Sequence, residues 1–191
     1  MSPQRSNRAQ LVEGTLRCLE RLPPERITAR AIAQESGANL ASITYHFGTK
    51  DNLVTEAVIE GLDRWLADIS GYLDKVASAS PADRFQQAAH AIESSRRRHA
   101  SLARNFIAAL AKAQHDDRIR ELLADGFRRS RPRVAAVLGL GADQTGTDAS
   151  GLVLALFNGL LMQTLVDPDL ALEGARLRRA QTRLRQVLSE T

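Results

Sequence analysis

The sequence predicts an all-α protein with a small amino-terminal module on a larger helical body. Apolar residues recur at helical spacing along the 191 residues, and no stretch alternates as a strand does. β-Branched residues are sparse. Gly, Pro and capping residues divide the chain into about nine helical segments, short in the first ~50 residues and long afterwards.

The first helix is expected over about 5–21, with Ala9, Val12, Leu16 and Leu19 on one stripe and Pro23-Pro24 as its stop. Thr28 suits the N-cap of a second helix, about 29–36, with Ile27 and Ile32 as a hydrophobic staple. Gly37 supplies the left-handed position that ends it. Asn39 can cap a third helix, about 40–46, and Gly48 breaks it. Thr49 then caps a fourth, about 50–77, whose stripe runs Leu53, Val58, Leu62, Trp65, Leu66, Ile69, Leu73, Val76. Further helices are expected near 82–98, 101–114, 117–138, 147–166 and 169–189. The breaks between them are SASP (78–81), Asp116-Asp117, GLGADQTGTD (139–148) and Asp167-Pro168. The GLGADQTGTD segment joins two helices and is expected to be a mobile connection. These lengths place one domain at 1–48 and a second at 49–191, with the fourth helix as the link.

Composition narrows the function classes. Hydrophobic residues make up 43% of the chain, enough for a real core and too many for a disordered one. A net charge of +4 permits an anionic partner. Cys18 is the single cysteine, so no disulfide framework exists within the chain, and its place on an apolar stripe suggests burial. The amino terminus carries no apolar signal region. The longest apolar run, GLVLALFNGLLMQTLV (151–166), is short for a membrane span and contains Asn158 and Gln163. No membrane partner is expected, and the cytoplasm is the expected location. His90, His99 and His115 show no metal-ligand spacing with Cys18 or one another, and no nucleophile elbow, phosphate loop or dinucleotide fingerprint occurs. No cofactor, metal or catalytic centre is therefore expected. The arginines at 96–98 and 128–133 read as solvated helix surface.

Residues 29–48 have the spacing of a helix-turn-helix. Ala33 is small where a second helix would cross, Gly37 follows four residues later, and Ile43 lies six beyond it as an inward anchor. With Ile43 inward, Leu40, Ser42, Thr44 and Tyr45 include the outward positions. Short hydroxyls can reach base edges or phosphates, and Tyr can donate to phosphate. The start of the second helix, with Thr28, offers free amides to an anion, as does the start of the fourth beside Lys50. Arg5 and Arg8 are candidates for a basic arm. Residues 1–50 hold seven Arg or Lys against four Glu, so the module is basic.

ITARAIAQESGANLASITYHFGTKDNLVTEAV (27–58) resembles the DNA-binding region of the TetR family of transcriptional regulators. The matching features are Thr28, Ile32-Ala33, Gly37, the Tyr45-His46-Phe47 cluster, and Lys50 followed by an acidic residue and Leu53, within about 8–60. Thr44 departs from the pattern, since many members have Tyr there, and Leu40 is apolar where a polar residue is common. The resemblance implies operator DNA as partner. The expected contact set is Thr28, Arg30, Asn39, Ser42, Thr44, Tyr45, His46, Thr49 and Lys50. Phe47 is expected to turn inward.

Half-sites about 34–36 Å apart call for a dimer. The last two helices, about 147–166 and 169–189, are apolar enough to form a homodimer interface, although the same pattern would serve the core of a monomer. The middle helices would enclose a site for an unidentified small-molecule effector. Its expected lining is Trp65, Phe85, Ile92, Phe106, Leu110, Leu123, Phe127, Phe157 and Leu161, with Asn105, Asn158 and His90 as polar anchors. The expected function is a repressor released from DNA by a largely apolar ligand. An activator or effector-independent regulator stays open, and a helical small-molecule-binding protein or enzyme is a remoter alternative.

Overall fold

The computed structural model describes residues 7–74 and 80–189, with the side chains of Pro81, Arg96, Arg97, Leu188 and Ser189 left out of the description. The expected Arg5 arm contact and the Val76 stripe position lie outside the described residues. Helices dominate: α1 (Asn7–Arg21), α2 (Ala29–Ser36), α3 (Ala41–Phe47), α4 (Lys50–Asp74), α5 (Pro81–Lys112), α6 (Asp117–Leu138), α7 (Gln144–Val166) and α8 (Gly174–Ser189). Short 3-10 turns sit at Pro24–Arg26 and Pro168–Leu170, and no strand occurs among the described residues.

The all-α expectation holds, with several boundaries moved. The two helices expected near 82–98 and 101–114 are one continuous α5 of 32 residues. Nothing in His99-Ala100-Ser101 stops a helix, because neither Gly nor Pro interrupts it. α7 begins at Gln144 and not near 147, because Asp143 caps it: its side chain accepts from the Gly146 N–H at 2.9 Å. The connection expected over 139–148 is thus confined to 139–143. Gly146 is required there, since a Cβ would lie 2.4 Å from the Gly141 carbonyl oxygen. α8 starts at Gly174, after the 3-10 turn that Pro168 opens.

The chain forms two compact units. One comprises the described residues through Asp68 together with Arg97–Ser130; the other comprises Ile69–Arg96 and Arg131 onward. The amino-terminal helices therefore share a unit with the second half of α5 and the first half of α6. In that first unit α1 presents Leu11, Thr15, Cys18 and Leu19 inward, the i, i+4, i+7, i+8 pattern of one helix face. They join a continuous core with Ile27, Ile32, Ile43, Phe47, Leu53, Val58, Leu102, Phe106, Ile119 and Leu123. Cys18 is buried as expected. Burial pushes its thiol above the ordinary value, and the Glu35 charge adds to that, against Arg17 and Arg21.

In the second unit, Leu73, Ala88, Val134, Leu138 and Leu177 are buried. The Arg84 guanidinium donates to the Val137 carbonyl at 2.9 Å, satisfying an orphan acceptor at the end of α6. Phe85 and Phe157 stack with centroids 5.4 Å apart. α7 is apolar yet open: Leu152 is 76% exposed and Val166 85%. At 23 residues it is longer than the 151–166 run suggests, and by length and composition alone it could cross a membrane.

Candidate nucleic-acid interface

α2 and α3 are set by local chemistry. The Thr28 hydroxyl oxygen accepts from the Ala31 N–H at 3.1 Å, which fixes the start of α2. Gly37 takes φ 66°, and the Ala38 N–H returns to the Ala33 carbonyl at 3.2 Å, closing α2 and turning the chain. α3 is assigned from Ala41, yet Asn39 caps as expected. Its Oδ1 accepts from the Ala41 N–H at 3.0 Å and its carbonyl from the Ser42 N–H at 2.9 Å. Gly48 takes φ 74° and donates to the Thr44 carbonyl at 3.0 Å, ending α3.

α3 turns two faces. Ile43 and Phe47, four residues apart, are buried. Thr44 is exposed, Ser42 and His46 are half-buried, and Tyr45 is 85% exposed. A phenol that open sits against water with no packing to justify it, so Tyr45 points outward as expected. Its ring meets His46 edge-on at 4.8 Å. Leu40 is also exposed. At the start of α2, Thr28 and Arg30 are exposed. Thr49 is exposed and caps α4, accepting from the Asn52 N–H at 3.1 Å. The expected contact residues thus fall in three short stretches, 28–30, 39–46 and 49–50.

Lys50 is only partly free. Its ammonium donates to the Ile27 carbonyl at 3.4 Å and pairs with Asp51 at 3.2 Å. Asp51 also pairs with Lys112 at 2.7 Å. Burial alone would raise the Asp51 pKa, but the Lys112 hydrogen bond and the charges of Lys50 and Lys112 outweigh it, leaving it below the ordinary carboxylate value. Arg8 is exposed but engaged: its guanidinium pairs with Glu56 and lies 5.1 Å from the Phe47 ring centroid.

Three positioning features escape sequence reading. Gly14 on α1 lies against Ser36 at the end of α2, where a Cβ would meet the Ser36 Cβ at 2.5 Å. Arg17 donates from Nε to Glu35 Oε1 at 2.7 Å and from Nη2 to the Glu35 carbonyl at 2.6 Å. Asn52, buried at the start of α4, donates to the Phe47 carbonyl at 2.9 Å. The first two are long-range contacts and the third crosses the turn between two helices, so helical periodicity gives no signal for any of them.

The expected effector-lining residues divide between the units. Trp65, Phe106, Leu110, Leu123 and Phe127 belong to the first, and Phe85, Ile92, Phe157 and Leu161 to the second. Phe106 and Leu123 are buried in the first unit's core, with Leu110 and Phe127 packed on it. Phe106 meets Phe127 edge-on at 6.1 Å, and Trp65 stacks on His99 at 4.4 Å. The amide of Asn105 donates to the Ser101 carbonyl at 2.8 Å, while His90 is exposed.

Two short helices, a glycine turn in the left-handed region, a buried Ile43 and an outward Tyr45 define a helix-turn-helix domain of the DNA-binding type. A family model described as "Bacterial regulatory proteins, tetR family" matches residues 11–57, the stretch that builds this geometry. The HTH-type transcriptional regulator BetI of Burkholderia lata is 26% identical over 158 residues, covering 82% of this chain and 80% of its own. A protein assigned as a transcriptional regulator from Rhodococcus sp. RHA1 has the same fold, with a TM-score of 0.67 at 19% identity over 84% of this chain and 85% of its own. Another, from Saccharomonospora viridis, was solved in complex with choline; its TM-score is 0.59 at 21% identity, over 86% of this chain and 88% of its own. Residues 11–57 thus match the DNA-binding domain of the TetR family, and over most of its length the chain is similar to a transcriptional regulator of the helix-turn-helix type. That family is one of regulators and not of enzymes.

Proposed function

We propose that this regulator is a homodimeric repressor that leaves its operator when a small, largely apolar ligand binds. The observation that carries the dimer is the open apolar surface of α7 and α8. Leu152, Leu156, Met162, Val166, Leu184 and Val187 are all exposed in the single chain. A second copy covers such a surface by an isologous contact and places two reading heads on one duplex. The cytoplasm, where the DNA is, is then its place of action.

On the DNA, Tyr45, Thr44, Ser42 and Asn39 face the groove and its rim. Thr28, Arg30, His46, Thr49 and Lys50 approach phosphates, the first and fourth through amides at helix starts. Lys50 reaches a phosphate by exchanging its Ile27 and Asp51 partners. α4 is one unbroken helix from the cap of the reading head to Asp74, past the boundary at Asp68, which suits it to carry a change from one unit to the other. The effector binds in the helical body, where the second unit offers the stacked rings of Phe85 and Phe157. The choline complex of a protein with this fold supports a small-molecule site of this kind. To release DNA, the ligand must favour the state that does not bind it.

The test begins with fragments selected from genomic DNA by the full-length protein. Transcription from the selected promoters is then measured with and without it. Repression, relieved by a compound that also changes the fluorescence of Trp65, supports the proposal. Stimulation of transcription would replace it with the activator reading.

A further inference from the structure

Asn52 stands on the first turn of α4, and its side chain reaches back across the connection to α3. Its Nδ2 donates to the Phe47 carbonyl at 2.9 Å. Phe47 is the last residue of α3, so this carbonyl has no donor within its own helix. The connection is otherwise two residues long: Gly48, at φ 74° and ψ −55°, and Thr49. Asn52 therefore holds both ends of it, by its side chain to Phe47 and by its backbone N–H to the Thr49 hydroxyl at 3.1 Å. The other half of the amide is anomalous. Oδ1 is buried and accepts no hydrogen bond from the protein. A buried polar group without a partner costs stability. An asparagine selected only to stabilise the fold would be satisfied at both atoms or replaced by an apolar residue.

We propose that Asn52 is a positioning residue for DNA reading, fixing the angle between α3 and α4 and thereby the direction of Tyr45 and Thr44, at a cost to fold stability. Ile43 and Phe47 pack one face of α3 into the core, and non-directional packing of that kind leaves the end of the helix small rotations against α4. The hydrogen bond to the Phe47 carbonyl restricts them. The inference rests on α3 being the reading helix.

The experiment compares full-length wild type, Asn52→Leu and Asn52→Ala. Leu fills the space and removes both the latch and the unpaired oxygen; Ala removes both and leaves a small cavity. The readouts are affinity for the selected operator, affinity for unrelated DNA of equal length, and thermal midpoint. Asn52→Leu exchanges one unpaired acceptor, Oδ1, for another, the Phe47 carbonyl, so it is expected to fold with a midpoint near that of wild type, to bind the operator about tenfold more weakly, and to bind unrelated DNA as wild type does. That change in the ratio of specific to non-specific affinity is one a merely structural role would not produce. Operator binding within twofold of wild type, or equal losses on both DNAs, would overturn the proposal. If Leu does not fold, Ala must show the same split; failure of both to fold would also overturn it, by making Asn52 a fold-forming residue. Failure of the wild type to select any DNA sequence would instead sink the DNA-reading assignment, a result distinct from either.

Discussion

Gly14 and Ser36 pack α1 against the end of α2 with no room between them. A Cβ on Gly14 would lie 2.5 Å from the Ser36 Cβ, 2.7 Å from its Cα and 2.8 Å from its N. The last two are backbone atoms, so rotation of a side chain cannot relieve the clash. Gly14→Ala is therefore expected to destabilise the protein, although Ala is the better helix former by about 1 kcal/mol. Overpacking of this kind costs about 1–3 kcal/mol. At roughly 2–4 °C per kcal/mol for a chain of this size, the thermal midpoint should fall measurably. A midpoint that rises would mean that α1 and α2 are farther apart than described.

The Asp51 pairs make a prediction about acid. The folded pKa of Asp51 lies below its ordinary value, held there against burial by Lys112 and Lys50. The stabilisation is thus fully present above the unfolded value, about 4, and is lost as pH falls through the folded one. Both partners are more than a third exposed, so its size is about 0.5 kcal/mol or less. Asp51→Asn should lower stability to denaturant slightly at pH 7, with the difference from wild type shrinking as the pH falls below the ordinary carboxylate range. A difference that grows toward acid would contradict the direction of the shift.

The exposed apolar face of α7 predicts an assembly state. Leu152→Asp and Val166→Asp together should give a folded monomer in sedimentation at micromolar concentration, where the proposal expects wild type to sediment as a dimer. In a symmetric interface each introduced charge appears twice and is buried in an apolar contact without a partner, which costs several kcal/mol. Both positions are open in the single chain, so the thermal unfolding of the monomer should stay cooperative. A wild-type monomer under these conditions would remove the dimer proposal.

The helix-turn-helix was the most legible part of the sequence because its signals are local. Thr28, Gly37, Asn39, Gly48 and Thr49 act on backbone groups within a few residues of themselves, and Ile43 and Phe47 share a face by their spacing. The boundary errors came where a strong signal overrode a weaker one. Gly139, Gly141 and Gly146 read together as a loop, yet Asp143 starts α7 among them. Long-range pairs were invisible: nothing in the sequence says that Arg17 reaches Glu35 or that Arg8 engages Glu56 and Phe47. The effector-lining residues were legible as apolar but not by role, because a core residue and a ligand contact have the same composition and periodicity. Phe106 and Leu123 belong to the core of the first unit.

The outward face of α3 is tested most directly by the affinity of Tyr45→Ala for the selected operator. Tyr45 is 85% exposed, so the substitution should leave the thermal midpoint and the assembly state unchanged. The proposed dimer would lose two Tyr45 contacts to the DNA, so operator affinity should fall at least about tenfold, with little change in its dependence on salt because the phenol carries no charge. Tyr45→Ala binding the operator within twofold of wild type would contradict the assignment of α3 as the reading helix.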